Sequence, residues 1–461
     1  MFPWCLLPLL SYASASPTPL PGATPVSANA AVRPPPQPTV FNSILGQRGL
    51  LDDATKDINS VLKGLGSAIP SYVASGVPNF FQDFPTGTAV QSSLGLSDSD
   101  VAALPTQVLN LPSYANWTDQ GWSLLVHGNV FKQPNISQPK LDELANAFLI
   151  DTSVAQLPPD QAAQARNFTA SIFVLQQSGQ SVVLNITPIS STGKSNGTSQ
   201  TLTVGPTSAE GDFNSPMLIP DPQKQLIAGN RTSSIQLLSE HVNGTDTGNA
   251  TAYLVPPEGL TVISDIDDIL RITKIYQPKE GLLNSFARPF TPWMNMPAIY
   301  ANWSKALPQL HFHYLTTTPE QVTRNYMQYI FATYPQGSFD TRPLNFSDVS
   351  ATLAIRKFLL DRVFQTFPKR KFVLVADTSN GDVMKDYPAL VAAYPGQVQC
   401  ILLRNTSATD AGDKFPYDTS GFKGIDQSMY MFFTVPVRFC VFSQSVSLPS
   451  FRHSRVTFAL L

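Results

Sequence analysis

Two carboxylates two residues apart, Asp265 and Asp267, follow the apolar run Leu260-Thr261-Val262-Ile263, with Asp268 immediately after them. The run is short and rich in β-branched residues, so it reads as a buried strand. Residues i and i+2 of a strand point to the same side, and Asp265 and Asp267 therefore converge on one point beyond its carboxyl end. A pair placed that way can carry out phosphoryl transfer, one carboxylate attacking phosphorus while the other handles the proton of the leaving group. An Asp-X-Asp triplet is common by chance, so its weight depends on what later segments bring to it.

Three later segments supply what the acidic pair lacks. His311-Phe312-His313-Tyr314-Leu315 reads as a second strand and ends in Thr316-Thr317-Thr318-Pro319, whose hydroxyl and backbone N–H groups can hold a phosphoryl oxygen ahead of a helix. Lys371-Phe372-Val373-Leu374-Val375-Ala376 is a third buried strand, ending at Asp377 with Asp382 five residues on, an outpost for a hard divalent cation. Between these two, residues 352–367 have helical spacing and carry Arg356 and Lys357, either of which can neutralise phosphate charge. Strand ends that present Asp, then Thr, then Asp, with a basic residue on the intervening helix, outweigh any single element.

These residues carry a resemblance. The stretches Ile263-Ser264-Asp265-Ile266-Asp267-Asp268, Phe312-His313-Tyr314-Leu315-Thr316, Lys369 to Thr378 and Cys400-Ile401-Leu402-Leu403-Arg404 resemble, in order and spacing, the catalytic domain of the fungal actin-patch-associated phosphatidate phosphatase family. That family is a branch of the haloacid dehalogenase-like phosphatases, and the similar region runs from about residue 256 to 435. The resemblance implies a Rossmann-like three-layer α/β/α catalytic domain and a magnesium-dependent phosphomonoesterase, hydrolysing phosphatidate to diacylglycerol and phosphate through an aspartyl-phosphate intermediate. It implies Asp265 as nucleophile, Asp267 as general acid and base, Thr316 as a ligand of the transferring phosphoryl group and Lys357 as its stabilising cation, with Arg356 the competitor one residue away. It also implies a Mg2+ site formed by Asp265, the backbone carbonyl of Asp267, Asp377 and Asp382. The chemistry agrees, since a carboxylate approaches a phosphate dianion only when a cation reduces their repulsion, and magnesium suits an all-oxygen shell.

The sequence departs from the family pattern at two positions, Ile269 for a usual threonine and Ala376 for a usual glycine. They favour the alternative reading, a secreted glycoprotein whose phosphatase scaffold is catalytically impaired and serves binding. Two other groups admit more than one use. His311 and His313 share a strand face, but no third ligand stands near them in sequence and a structural role is favoured. Phe286, Phe290, Trp293 and Tyr300 fall where the resembled fold places cap elements, and they either contact acyl chains or pack in the core.

Composition sets the remaining bounds. The chain has 461 residues, a net charge of −2 and no basic block, so nucleic-acid binding has no electrostatic footprint. Residues 1–15 combine an apolar stretch with a small-residue end at Ala13-Ser14-Ala15 and read as a signal peptide. No later apolar run reaches the roughly 20 residues of a membrane span. Eleven Asn-X-Ser/Thr acceptors, at Asn116, Asn135, Asn167, Asn185, Asn196, Asn230, Asn243, Asn249, Asn302, Asn345 and Asn405, accompany a charged content of only 13% and suggest a secreted, N-glycosylated surface. With Cys5 in the leader, Cys400 and Cys440 either pair or stay reduced.

The expected organisation is a signal peptide over 1–15, a Pro/Ser/Thr-rich leader over 16–40 and a helical segment over 41–104. A β-rich domain over 105–255, an antiparallel sandwich by its alternating strands, then precedes the catalytic domain over 256–435 and an irregular tail over 436–461. The apolar face between Asn42 and Val73 docks on the body or lies on a membrane surface, docking being favoured by the sparse Lys and Arg. The expected partner is a phospholipid or other phosphomonoester, with peripheral contact to a membrane surface.

Overall fold

A computed structural model of the protein describes residues 87–342, 349–379, 381–413 and 417–436. The signal peptide, the leader, the amphipathic face between Asn42 and Val73, Asn345, Cys440 and the tail beyond residue 436 lie outside the described residues.

Alternating apolar and polar positions build nine strands in the first half. They are β1 (Thr106–Asn110), β2 (Tyr114–Thr118), β3 (Gly121–Lys132), β4 (Leu175–Gln176), β5 (Val182–Ile189), β6 (Gln200–Val204), β7 (Asp212–Leu218), β8 (Gln236–Val242) and β9 (Ala250–Leu254). The strands expected as a sandwich are joined in one hydrogen-bonded sheet, with path β1-β3-β2-β9-β8-β5-β6 and with β4 and β7 added along β3. All pairs are antiparallel except β2 with β9. One face is apolar, formed by residues such as Leu124, Val126, Leu184, Ile186, Leu238 and Ala252.

The second half builds a fully parallel sheet of six strands. These are β10 (Leu260–Asp265), β11 (His311–Pro319), β12 (Ser338–Arg342), β13 (Lys371–Asp377), β14 (Val398–Arg404) and β15 (Tyr430–Phe433), in the order β12-β11-β10-β13-β14-β15. Near-continuous apolar runs are what a sheet buried on both faces requires. Val262, Phe312, Tyr314, Val373 and Val375 pack with Phe286, Tyr300 and Tyr326 on one face. Those three come from α1 (Pro278–Phe286), α2 (Met296–Ala306) and α3 (Glu320–Thr333). Ile263, Leu315, Leu374 and Ile401 pack on the other face with Leu359 and Phe364 of α4 (Val349–Thr366) and Val383 and Tyr387 of α5 (Gly381–Ala393).

The chain enters the sheet at β10, moves outward through β11 and β12, then returns to β13 on the other side of β10. The strand order therefore reverses between β10 and β13, and the crevice at their carboxyl ends is where open α/β sheets place ligands. The opposite end of β10 is tied down by Arg370, which donates to Thr261 Oγ1 (2.6 Å) and to the carbonyls of Pro256, Glu258 and Leu260. Gly259 permits this approach, since its φ is +125° and a Cβ there would lie 2.8 Å from Arg370 Nη1.

The expected boundary at 255/256 falls between β9 and β10, but the two halves share their packing. Tyr114 and Tyr253 belong to the same apolar cluster as Ile263 and Phe364. The Phe339 amide donates to the Pro112 carbonyl, and Arg362 Nη2 donates to Asp340 Oδ1 at 2.7 Å beside Tyr114.

Candidate active site

The chain brings its acidic residues to the crevice as the strand ends dictate. Asp265 is the last residue of β10 and Asp377 the last of β13, and both are buried. Asp265 Oδ1 accepts from the Ile266 amide at 3.0 Å, while Oδ2 accepts no aligned hydrogen bond. Asp377 Oδ1 accepts from the Ser379 amide (2.7 Å), the Ser379 hydroxyl and Thr406 Oγ1 (3.2 Å), whereas its Oδ2 has no hydrogen-bond partner. Asp377 Oδ2, a buried carboxylate oxygen without a partner, is costly unless a cation meets it, and Asp265 Oδ2 has only an ion pair with Arg356.

Burial pushes Asp265 up to about 7; the Arg356 charge pulls it down, and the Asp377 and Asp267 charges push it up again. Burial likewise raises Asp377 above the usual carboxylate range. Oxygen donors of this kind fit a hard divalent cation.

Asp267 is held differently. Its Oδ1 accepts from Arg271 Nε (3.0 Å), Arg271 Nη2 (2.7 Å) and Thr273 Oγ1 (2.8 Å), and its Oδ2 accepts from Thr318 Oγ1 at 3.3 Å. Arg271 is buried, with its guanidinium 4.3 Å from the Tyr326 ring centre and 5.1 Å from that of Phe290. Asp268, at a positive φ of 59°, accepts from the amides of Thr273, Lys274 and Ile275 and closes the turn after β10. Arg404 Nη1, at the end of β14, donates to the Asp268 carbonyl at 2.6 Å while its guanidinium lies 4.3 Å from the Trp293 ring centre.

The basic residue of the site is Arg356, which corrects the expectation of Lys357. Arg356 is buried, its Nη1 3.1 Å from Asp265 Oδ2 and its Nε 3.3 Å from Asp382 Oδ2. Lys357 is half exposed and pairs with Asp361 one turn along α4. The reason is helix phase: position 356 lies with Leu359, Leu360 and Val363 on the buried side, and a step of one residue turns 357 toward solvent.

Asp382 is reached through Arg356 and is about one-third exposed. Among the described residues, the set of three ligating groups with donor atoms within 4.8 Å of one another is His127, Asp212 and Glu320, so the expected Asp265, Asp377 and Asp382 do not close a compact shell.

Thr316 is buried within β11, three residues before its end, where its Oγ1 accepts from the Thr318 amide (3.1 Å) and from Tyr326 OH (3.4 Å). Thr318 is the hydroxyl that touches the acidic pair. Arg271, Thr273 and Arg404 lie outside the site residues expected from the sequence, although Arg271 stands four residues after Asp267, while Thr318 belongs to the expected Thr316-Thr317-Thr318 cradle.

Ile269 and Ala376, the two departures, are completely buried in the apolar clusters. His311 and His313 both hydrogen-bond Ser338 Oγ, at 3.0 and 2.8 Å. Phe286, Trp293 and Tyr300 are core residues, Phe290 is partly buried, and Cys400 is a buried free thiol. No described helix is long and apolar enough to cross a membrane.

Comparison with known proteins bears on this geometry. The family described as "Phosphatidate phosphatase APP1, catalytic domain" matches residues 260–405, from the start of β10 past the end of β14. Phosphatidate phosphatase APP1 of Saccharomyces cerevisiae is 29% identical over 163 residues, covering 33% of this chain and 27% of that protein, so the similarity spans about a quarter of the relative. A solved ferredoxin-NADP+ reductase from Plasmodium falciparum covers 64% of this chain and 95% of its own, but its TM-score of 0.13 and 8% identity carry no fold argument. Residues 260–405 of this chain are similar to the catalytic domain of the phosphatidate phosphatase APP1 family.

Proposed function

We propose that the protein is a Mg2+-dependent, phosphatidate phosphatase-like phosphomonoesterase with a haloacid dehalogenase-like catalytic domain. The observation that carries the reading is the buried pair Asp265 and Asp267 at the carboxyl end of β10, each facing its own arginine, beside Asp377 with an unpartnered oxygen. Asp265 and Asp377, with the main-chain carbonyl of Asp267, would hold the magnesium ion, with Asp382 standing outside that shell beside Arg356. The bound ion supplies charge neutralisation and orientation of the phosphoryl group.

The chain's own residues then divide the work. Asp265 attacks phosphorus, forming the Oδ–P bond as the P–O bond to the leaving alcohol breaks. Asp267 gives its proton to that alkoxide, which departs as diacylglycerol when phosphatidate is the substrate. Asp267 then takes a proton from water as the water oxygen attacks the aspartyl phosphate, which returns free Asp265 and inorganic phosphate. Arg356 offsets charge on Asp265 before attack and is placed to meet the phosphoryl oxygens afterward. Thr318, touching Asp267, keeps that carboxyl in line with the strand end.

A secretory route and contact with a membrane surface belong to the same proposal. The apolar leader supports the route, as does the exposure of seven of its acceptor sites, Asn135, Asn167, Asn196, Asn230, Asn243, Asn249 and Asn302. A lipid substrate supports the surface contact. The test is phosphate release from phosphatidate in mixed micelles. Release by the wild type that stops on chelation, resumes with Mg2+ and is absent in Asp265→Asn is expected. Failure to release phosphate from phosphatidate or any small phosphomonoester, with the fold intact, would sink the reading in favour of an impaired scaffold used for binding.

A further inference from the structure

A second cluster of ligating side chains joins the β-rich sheet to the α/β region. His127 stands on β3, Asp212 opens β7 and Glu320 opens α3. In the antiparallel β3–β7 ladder His127 faces Asn214 and Asn129 faces Asp212, so His127 and Asp212 are diagonal neighbours on one face. His127 Nε2 lies 3.4 Å from Asp212 Oδ1 and 3.1 Å from Glu320 Oε2, and the three donor atoms are all within 4.8 Å of one another. His127 is 3% exposed, Glu320 is fully buried and the Asp212 side chain is 15% exposed, which leaves an opening on one side.

Neither ring nitrogen of His127 makes an aligned hydrogen bond, and neither does Asp212 Oδ1. Close spacing without hydrogen-bond alignment is the relation expected of ligands that point at a common centre rather than at each other. Tetrahedral ligands at about 2.0–2.1 Å from a metal lie roughly 3.3 Å apart, which is the range of the two measured separations. Two carboxylates also balance the charge of a divalent ion.

We propose that His127, Asp212 and Glu320 bind a zinc-type divalent ion, with the exposed side of Asp212 leaving the fourth position to water. The ion clamps the β-rich sheet to the first turn of α3. Glu320 follows Thr318 by two residues, and Thr318 Oγ1 touches Asp267, so the clamp also fixes the strand end that meets the acidic pair. The site is separate from the Asp265 crevice and does not depend on the proposed phosphatase activity.

The test uses the full chain, stripped with a chelator, dialysed and titrated with Zn2+ by calorimetry, with bound zinc counted by mass spectrometry. One zinc per chain is expected, together with a Tm that falls on stripping and recovers on reloading. Binding should be lost in His127→Gln, weakened about tenfold or more in Asp212→Asn and retained in Asp265→Asn. Because His127→Gln can fail to fold, Asp212→Asn at the partly exposed side and X-ray absorption of the zinc-loaded wild type stand beside it, the latter expected to report nitrogen and oxygen neighbours. Absence of zinc from the wild type would leave His127 as a buried ion-pair residue and overturn the proposal. So would zinc retained equally in the His127 and Asp212 variants, or lost in Asp265→Asn.

Discussion

Arg356 carries a charge balance that the acidic crevice cannot do without. Burial works against its charge, but Asp265 and Asp382 outweigh that cost and hold the guanidinium protonated. Removing it leaves Asp265 buried without its cation and removes the donor closest to the proposed phosphoryl site. Arg356→Ala should therefore lower kcat/KM about a hundredfold or more, while Lys357→Ala, losing only a solvent-facing pair with Asp361, should stay within about threefold of wild type. Steady-state kinetics on the two variants checks this, and the reverse ranking would return the role to Lys357. The distinction was within reach of the sequence. Leu359, Leu360, Val363 and Phe364 set the buried side of α4, and that phase carries position 356 inward and 357 outward. What could not be read was the split of partners around Asp267, because Arg271, Thr273 and Thr318 reach it through the tight turn that Asp268 closes.

Strand positions were legible from alternation and apolar runs: Asp265 and Asp377 close β10 and β13 where those runs stop, whereas β11 continues past Thr316 to Pro319. Pairing was less so. Nothing in a short alternating segment says which other segment it will join, and the β-rich strands form one connected sheet where two facing sheets were expected. Long-range contacts also decide the state of Glu240 on β8, fully buried and accepting from Asn110 Nδ2 at 2.9 Å and Ser113 Oγ at 2.8 Å.

Burial pushes Glu240 up to about 7 from 4.5, the two hydrogen bonds pulling the other way. A carboxyl whose folded value is raised keeps its proton in the fold after the unfolded chain has lost it. Its contribution is therefore intact below about pH 4.5 and is lost as pH rises toward 7. The loss is roughly 3 kcal/mol, at about 1.4 kcal/mol per pH unit. Glu240→Gln should flatten the decline of unfolding free energy across that window in urea titrations; an unchanged slope would assign the decline to other carboxyls.

At the scale of the whole molecule, the two regions expected as separate domains share apolar clusters, a backbone hydrogen bond from Phe339 to Pro112 and a hydrogen bond from Tyr114 OH to Asp340 Oδ2 at 3.5 Å. The sequence showed where composition changes but not that the β-rich sheet would buttress the helix and strands of the site, because those contacts join residues more than 200 positions apart. The same surface bears on the proposed secretory route. Protein expressed through a eukaryotic secretory pathway should lose mass on treatment with a peptide N-glycosidase, most of it from the exposed acceptors, and absence of any shift would contradict the route. The central claim is that Asp265 becomes covalently phosphorylated. Mixing the protein with phosphatidate and Mg2+, quenching in acid within a turnover and mapping the peptides by mass spectrometry tests it most directly. A phosphoryl adduct on the peptide spanning Asp265, absent in Asp265→Asn and longer-lived in Asp267→Asn, is the predicted result; phosphate released with no adduct at Asp265 in either background would contradict it.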